Sequence, residues 1–285
     1  MSKHKIIIQR LIIVIIAALF TFISFEFYDK AKHDYYYGLE PVEEVQGVTW
    51  YKNNPVIVHA AGGIDGLSYT NSQEALLNSI EKGAKVIEVD FNYTSDGYLV
   101  AYHLLRDITV KKASITLDEF LNLKIQGKYT PMTFLDVVDI MKENPDIYIS
   151  VDTKTENLVA LVQDIVGLCD DKEILNRLII QCFYPGEKEA IKKIYNFPDE
   201  NLLFAGYKYS TDIYKLLDAC YTENYKVITV SADIVTKDFL KLFKNKNIRV
   251  YVYTINRIDI ADYFYDLGVY GIYTDFLHNY DPREY

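Results

Sequence analysis

The sequence predicts an α/β fold, a (β/α)8 TIM barrel preceded by one N-terminal transmembrane helix. Two observations predict the barrel. From Pro55 onward, apolar runs of strand length alternate with segments of helix length, and the main runs number eight, starting near residues 56, 85, 147, 178, 201, 227, 248 and 270. Eight β–α repeats are the signature of a closed parallel barrel, for which about 250 residues is typical. The runs are also apolar throughout rather than alternating, as expected of strands covered on both faces. A third observation predicts the membrane helix: Lys3, Lys5 and Arg10 lead into the apolar run Leu11–Phe25, LIIVIIAALFTFISF. A doubly wound open sheet is the structural rival, but Gly62-Gly63-x-x-Gly66 lacks the spacing of a dinucleotide fingerprint and continues into a loop.

Taken in order, the N-terminal run is slightly short of the roughly 20 apolar residues that span a bilayer. No small-residue cleavage pattern follows it, because Phe25-Glu26-Phe27-Tyr28 is bulky. An uncleaved signal-anchor over 1–28 is therefore expected, ahead of a cleaved signal peptide. The basic flank stays cytoplasmic by the positive-inside rule, which places the catalytic domain outside the cytoplasm on a single-pass cell-membrane protein. Residues 29–54 read as a linker and 55–285 as the barrel domain. Within it, Val56–Val58 is strand, and Thr70-Asn71-Ser72 offers N-cap residues for a helix from Gln73 to Gly83. Lys85–Phe91 is strand, with a short extension over Tyr98–Tyr102 after the Asp96-Gly97 turn. Helices are expected over 116–123, 133–142, 156–169, 187–195, 212–221, 237–243 and 258–267.

The chain carries a net charge of −10, which argues against nucleic acid as a partner and against broad adhesion to anionic lipid. Cys169, Cys182 and Cys220 have neither C-x-x-C spacing nor a metal pattern, and Cys182 reads as a small core residue.

The chemistry gathers at predicted strand ends, where barrels place their catalytic groups. The first strand delivers His59, the second carries Glu88 and delivers Asp90, and the short extension delivers His103. Glu88 and Asp90 lie two apart on a strand, so both point to one face. Two carboxylates on one inward face repel unless a cation or proton joins them. Asp152, from the next main strand, adds a third oxygen donor, and such sets suit Ca²⁺ or Mg²⁺. The bland reading of this trio is an ion pair with Lys154 or Lys85.

These pieces resemble the glycerophosphodiester phosphodiesterase family, within the phospholipase-C-like phosphodiesterases. The family pattern runs His-Arg-Gly, Glu-Asn-Thr, Glu-x-Asp, Thr-x-Asp-Gly, His-Asp. Here it is matched by His59-Ala60-Ala61-Gly62, Thr70-Asn71-Ser72, Glu88-Val89-Asp90, Thr94-Ser95-Asp96-Gly97 and His103-Leu104. The likeness continues through Thr130-Pro131-Met132-Thr133, Val151-Asp152-Thr153-Lys154, Ile180-Gln181-Cys182-Phe183, Val252-Tyr253-Thr254-Ile255-Asn256 and Gly271-Ile272-Tyr273-Thr274-Asp275, so it covers about 55–277. Three positions depart from it. Ala60 replaces an Arg that contacts substrate phosphate, Thr70 a metal-binding Glu, and Leu104 an Asp. The resemblance implies a metal-dependent phosphodiester hydrolase, with His59 and His103 as general base and acid and Lys154 facing the phosphoryl oxygens. Glu88, Asp90 and Asp152 would hold the divalent metal. Asn71 reads equally as a contact to phosphate or metal and as a helix N-cap. Gln181 and Tyr253 read as substrate-pocket lining or as barrel-end core, and Asp275 as a closing turn residue or a functional one. No role is assigned to His4, His33 or His278. Implied substrates are glycerophosphodiesters, a lipid head group or a cell-envelope phosphodiester polymer. A phosphatidylinositol-type phospholipase C and a non-catalytic phosphoglycan- or lipid-binding barrel are the alternatives.

Overall fold

The computed structural model describes residues 3–41, 49–103, 115–206 and 212–280. The chain divides into two compact units, Met1–Pro41 and Val42–Tyr285. The first is a single helix, α1 (Lys3–Gly38). Its stretch from Leu11 to Gly38, 28 residues, is long and apolar enough to cross a membrane. The helix runs well past the apolar stretch, through Lys30, Lys32 and Asp34, where the sequence reading placed the start of a linker.

Among the described residues the second unit is built on nine strands: β1 (Val56–Val58), β2 (Val86–Tyr93), β3 (Leu99–Ala101), β4 (Tyr148–Thr153), β5 (Leu178–Cys182), β6 (Leu202–Ala205), β7 (Val227–Ser231), β8 (Arg249–Tyr253) and β9 (Gly271–Thr274). Eight of them pair in parallel, and β1 bonds both β9 (Val56↔Ile272) and β2 (Val58↔Ile87), which closes the barrel. The ninth, β3, is the expected extension; it folds back antiparallel on β2 with Phe91 opposite Ala101. The flanking helices are α2 (Gln73–Glu81), α3 (Leu117–Leu121), α4 (Phe134–Glu143), α5 (Leu158–Leu168), α6 (Lys172–Leu175), α7 (Glu187–Ile194), α8 (Ile213–Thr222), α9 (Lys237–Lys244) and α10 (Ile258–Leu267). Most start at a side-chain cap, among them Ser72, Thr133, Asn157, Asp212 and Thr236, which satisfies N–H groups left unpaired at a helix start. The one-turn α6 has no counterpart among the expected helices.

Strand alternation sorts the barrel into two layers. Val58, Ile87, Val89, Ile149, Val151, Ile180, Phe204, Ile228, Val250 and Val252 share one parity, face the helices and are buried. The opposite parity faces the barrel axis. At the lower, N-terminal end it contributes Ile57, Val86, Ile179, Leu203, Val227 and Tyr251, which pack in one cluster with Trp50 and Tyr51. Trp50 and Tyr51 lie inside the expected linker, yet both are at most 1% exposed. Their rings are too apolar to leave in water, and the open end of the barrel gives them a place to bury. The plug is hydrogen-bonded as well as packed. The Trp50 indole donates to the Glu200 carbonyl at 2.7 Å, Tyr251 Oη to the Asn54 carbonyl at 2.7 Å and Tyr270 Oη to the Tyr51 carbonyl at 2.9 Å. The Arg249 guanidinium lies 4.6 Å from the Tyr51 ring and 5.4 Å from the Tyr270 ring, a cation held between aromatic neighbours. Trp50 and Tyr51 are thus part of the packing of the barrel's lower end.

Candidate active site

At the upper end of the strands the axis-facing parity turns polar. On β2 it runs Val86, Glu88, Asp90; on β4 it runs Tyr148, Ser150, Asp152. The two strands pair with Asp90 opposite Asp152, so the register that closes the barrel also brings the carboxylates together. Glu88, Asp90 and Asp152 each offer an oxygen within 4.8 Å of the others. Glu88 and Asp90 are buried. The Lys154 ammonium sits against the cluster, 2.5 Å from Asp152 Oδ2 and 2.8 Å from Asp90 Oδ1. Lys85 takes no part; it lies 3.8 Å from Asp146 on the surface.

These charges set one another's affinities for protons. Burial and the charges of Asp90 and Asp152 push the Glu88 carboxyl well above the usual range. Burial also raises Asp152, against the pull of Lys154. For Asp90 burial is outweighed by the charge and hydrogen bond of Lys154, which hold its carboxyl below the usual range. Lys154, although buried, is raised by Asp152, Asp90 and Glu88 and stays charged. Three carboxylates gather against one ammonium, an excess of buried acidic groups over cations. That donor set fits a hard divalent cation such as Mg²⁺ or Ca²⁺.

His59 enters from the turn that follows β1. Its Nδ1 lies 2.8 Å from Asp275 Oδ1, just beyond β9. Asp275 is itself clamped by Asn256, whose Nδ2 donates to Asp275 Oδ2 at 2.6 Å and whose Oδ1 accepts from the Asp275 amide at 2.8 Å. His103 follows β3 and lines the same cavity; burial lowers its imidazole below the usual histidine value. The cavity measures about 780 Å³, and His59, Glu88, His103, Asp152 and Lys154 all face it. Gln181 and Tyr253 line it too, with Gln181 Nε2 bonded to Ser150 Oγ at 3.2 Å.

Asn71 reaches the carboxylate cluster rather than capping the helix. The helix cap is Ser72, and Asn71 is fully buried away from the cavity wall. Its Nδ2 donates to Asp90 Oδ2 at 2.7 Å and its Oδ1 accepts from the Asp90 amide at 2.9 Å, so it braces Asp90. Thr70 turns to Ser72 Oγ at 3.0 Å and is likewise buried. Ala60 brings a main-chain N–H to Glu88 Oε2 at 2.6 Å and no side-chain donor. Leu104 lies outside the described residues. The loop that carries these groups is held in left-handed backbone at Ala60, Ala61, Asp65, Tyr69 and Asn71. Such conformations cost about 1–3 kcal/mol each and persist where the surroundings over-determine them. Here Ser79 Oγ donates to the Ala61 carbonyl at 2.8 Å, the Gly63 amide to the Asp275 carbonyl at 2.6 Å, and Tyr129 Oη to Asp65 Oδ2 at 2.8 Å. Gly62, at φ +97°, admits no Cβ, which would fall 2.0 Å from Ser79 Oγ.

Residues 62–279 match the model of the glycerophosphoryl diester phosphodiesterase family. The chain belongs to that family of phosphodiester hydrolases. No curated protein sequence matches it significantly. Several solved structures share its fold. A phosphodiesterase from Oleispira antarctica, solved in complex with the product sn-glycerol-3-phosphate, is 16% identical, with a TM-score of 0.67 over 80% of this chain and 96% of that one. Glycerophosphodiester phosphodiesterases from Thermotoga maritima (20% identity, TM-score 0.60, 79% and 96% covered) and Parabacteroides distasonis (21%, 0.61, 78% and 93%) are similar to the same extent. At these identities the likeness speaks for the barrel; the family match speaks for the chemistry. Two further residues of the site, Asn256 and Tyr69, went without a role in the sequence reading. Asn256 falls within the Tyr253-Thr254-Ile255-Asn256 segment that resembles the family, and no local signal points to Tyr69.

Proposed function

We propose that this protein is a divalent-cation-dependent hydrolase of glycerophosphodiesters, held at the membrane by α1 with its barrel outside the cytoplasm. The observation that carries the reading is the convergence of two imidazoles, the Glu88 and Asp152 carboxylates and one lysine on a single cavity at the upper end of the barrel, with Asp90 buried beside them. The membrane part rests on the apolar helix and the basic residues before it.

Glu88, Asp90 and Asp152 would hold the cation, which when bound neutralises charge on the phosphoryl oxygens. The Lys154 ammonium adds a fixed positive charge beside them. His59 is the general base. With its Nδ1–H donated to Asp275, the Nε2 lone pair is free to take the proton of the attacking hydroxyl. That hydroxyl belongs to the substrate, beside the phosphodiester, and its oxygen bonds to phosphorus as the P–O bond to the departing alcohol breaks. His103 gives its proton to the departing oxygen. Burial lowers its proton affinity below the usual histidine value, which favours release of that proton. Water then opens the cyclic ester with the two histidines exchanging roles. Gln181 and Tyr253 line the space left for the alcohol. The small phosphorylated product seen in the Oleispira phosphodiesterase supports a glycerol phosphate as the product here.

The test is turnover of glycerophosphocholine, glycerophosphoinositol, phosphatidylinositol and a teichoic-acid fragment. Hydrolysis of a glycerophosphodiester is expected, abolished by EDTA, restored by Mg²⁺ or Ca²⁺, and reduced about 10²- to 10⁴-fold by His59→Ala or His103→Ala. Turnover indifferent to chelation and to both substitutions would sink the reading.

A further inference from the structure

Tyr69 stands between the two histidines. Its ring meets His59 edge-on, with centroids 4.6 Å apart and planes at 90°, and meets His103 at 5.2 Å and 74°. The ring is 46% exposed, so burial alone does not account for its place. Its backbone is left-handed, at φ 59°, a conformation a bulky aromatic rarely adopts. The residues that follow fix that backbone: Thr70 is bonded to Ser72, and Asn71 is doubly bonded to Asp90. Tyr69 is therefore mounted on the same frame as the carboxylate cluster and reaches from it to both imidazoles.

The two histidines are held unequally. His59 has Asp275 as well as Tyr69. The His103 ring has no hydrogen-bond partner among the described residues, and Tyr69 is the aromatic ring packed on it. An acid–base pair needs both nitrogens in place when the substrate arrives, and a displacement of about 1 Å can cost on the order of 10²-fold in rate. An aromatic edge contact restrains a ring without using either of its nitrogens, which stay available for proton transfer.

We propose that Tyr69 is a positioning residue for the reaction, its ring wedged between His59 and His103 and fixing the imidazoles relative to each other, with His103 depending on it more. The proposal rests on the assignment of these histidines as the acid–base pair. The phenol stays neutral, since burial and the negative charges of Asp275, Asp90 and Glu88 raise it further above its ordinary value. The ring, rather than an ionised oxygen, is then what acts.

Two variants and one spectroscopic measurement on the full chain test it. Tyr69→Ala should lower kcat about 10- to 100-fold with KM changed less than about threefold, while Tyr69→Phe keeps kcat within about threefold. In ¹⁵N-histidine NMR spectra, Tyr69→Ala should shift and narrow the His103 side-chain signals toward those of a free imidazole, and alter those of His59 less. Wild-type kcat and unchanged imidazole signals in Tyr69→Ala would overturn the proposal, as would a Tyr69→Phe variant as impaired as Tyr69→Ala. The spectra need no substrate. If turnover proves independent of the histidines, the functional reading fails, and the imidazole signals still report whether Tyr69 holds them.

Discussion

The two ends of this barrel are made by the same strands and obey opposite rules. At the lower end Trp50, Tyr51, Tyr251 and their neighbours form an aromatic plug whose polar atoms mostly find partners. At the upper end, two to four residues further along β2 and four along β4, three carboxylates crowd one lysine. Strand parity links the two, because Val86, Glu88 and Asp90 lie on one face of one strand. The contrast teaches that stability and reactivity are divided along the strand axis: the plug supplies burial, and the site keeps repulsion that a bound cation would relieve.

The sharpest break of the comparison is Glu88→Gln. It should reduce turnover by at least about 10³-fold, a few kcal/mol of transition-state stabilisation. Because the folded state raises the Glu88 proton affinity, its charged form opposes folding at neutral pH. The amide removes that charge and still accepts from the Ala60 amide, so the melting temperature in EDTA should hold or rise. Added Mg²⁺ or Ca²⁺ should then stabilise the wild type more than the variant. A large loss of stability in EDTA would contradict the strained reading of the upper end. Trp50→Ala is the mirror image. It should cost about 3–5 kcal/mol of folding stability in denaturant titrations, while turnover per folded molecule stays within about twofold. A site that fails along with the plug would show the two ends to be coupled.

Asp275→Asn probes a smaller effect. Loss of the acceptor that orients His59 should lower kcat about 10- to 100-fold, as for other partners that orient a reactive imidazole, with little change in melting temperature. The smallest effect belongs to His278, buried near the mouth with its Nδ1 on the Phe276 carbonyl at 2.9 Å and its Nε2 without a hydrogen-bond partner among the described residues. Burial lowers its proton affinity in the folded state. The unfolded chain therefore takes up the proton first, from about pH 6.5 downward, and the stability present above that pH is lost as pH falls through the folded value. His103 contributes with the same sign. His278→Gln should flatten the fall in melting temperature between pH 7 and pH 5; an unchanged slope would remove His278 from the account.

The sequence was legible where function followed strand geometry. The eight apolar runs located the barrel strands to within a residue at their starts, and the spacing of Glu88 and Asp90 placed two carboxylates on one face. Partners distant along the chain were harder to read. Trp50 and Tyr51 precede the first strand, so nothing local separates a barrel plug from a linker. Asp275 reads locally as a turn residue, and its partner His59 lies 216 positions away. Asn71 sits in a run of good capping residues, and only the left-handed path of the loop turns it toward Asp90 while Ser72 takes the cap. Tyr69 depends on that same path.

The closure of the sheet also orders events in time. β9 is the last of the described strands in chain order, and it pairs between β8 and β1, bringing Asp275 to a histidine made more than two hundred residues earlier. On the proposed assignment, His59 is not set as the base before the ring of strands is complete. A chain still being made therefore lacks the Asp275 contact of His59 until β9 arrives.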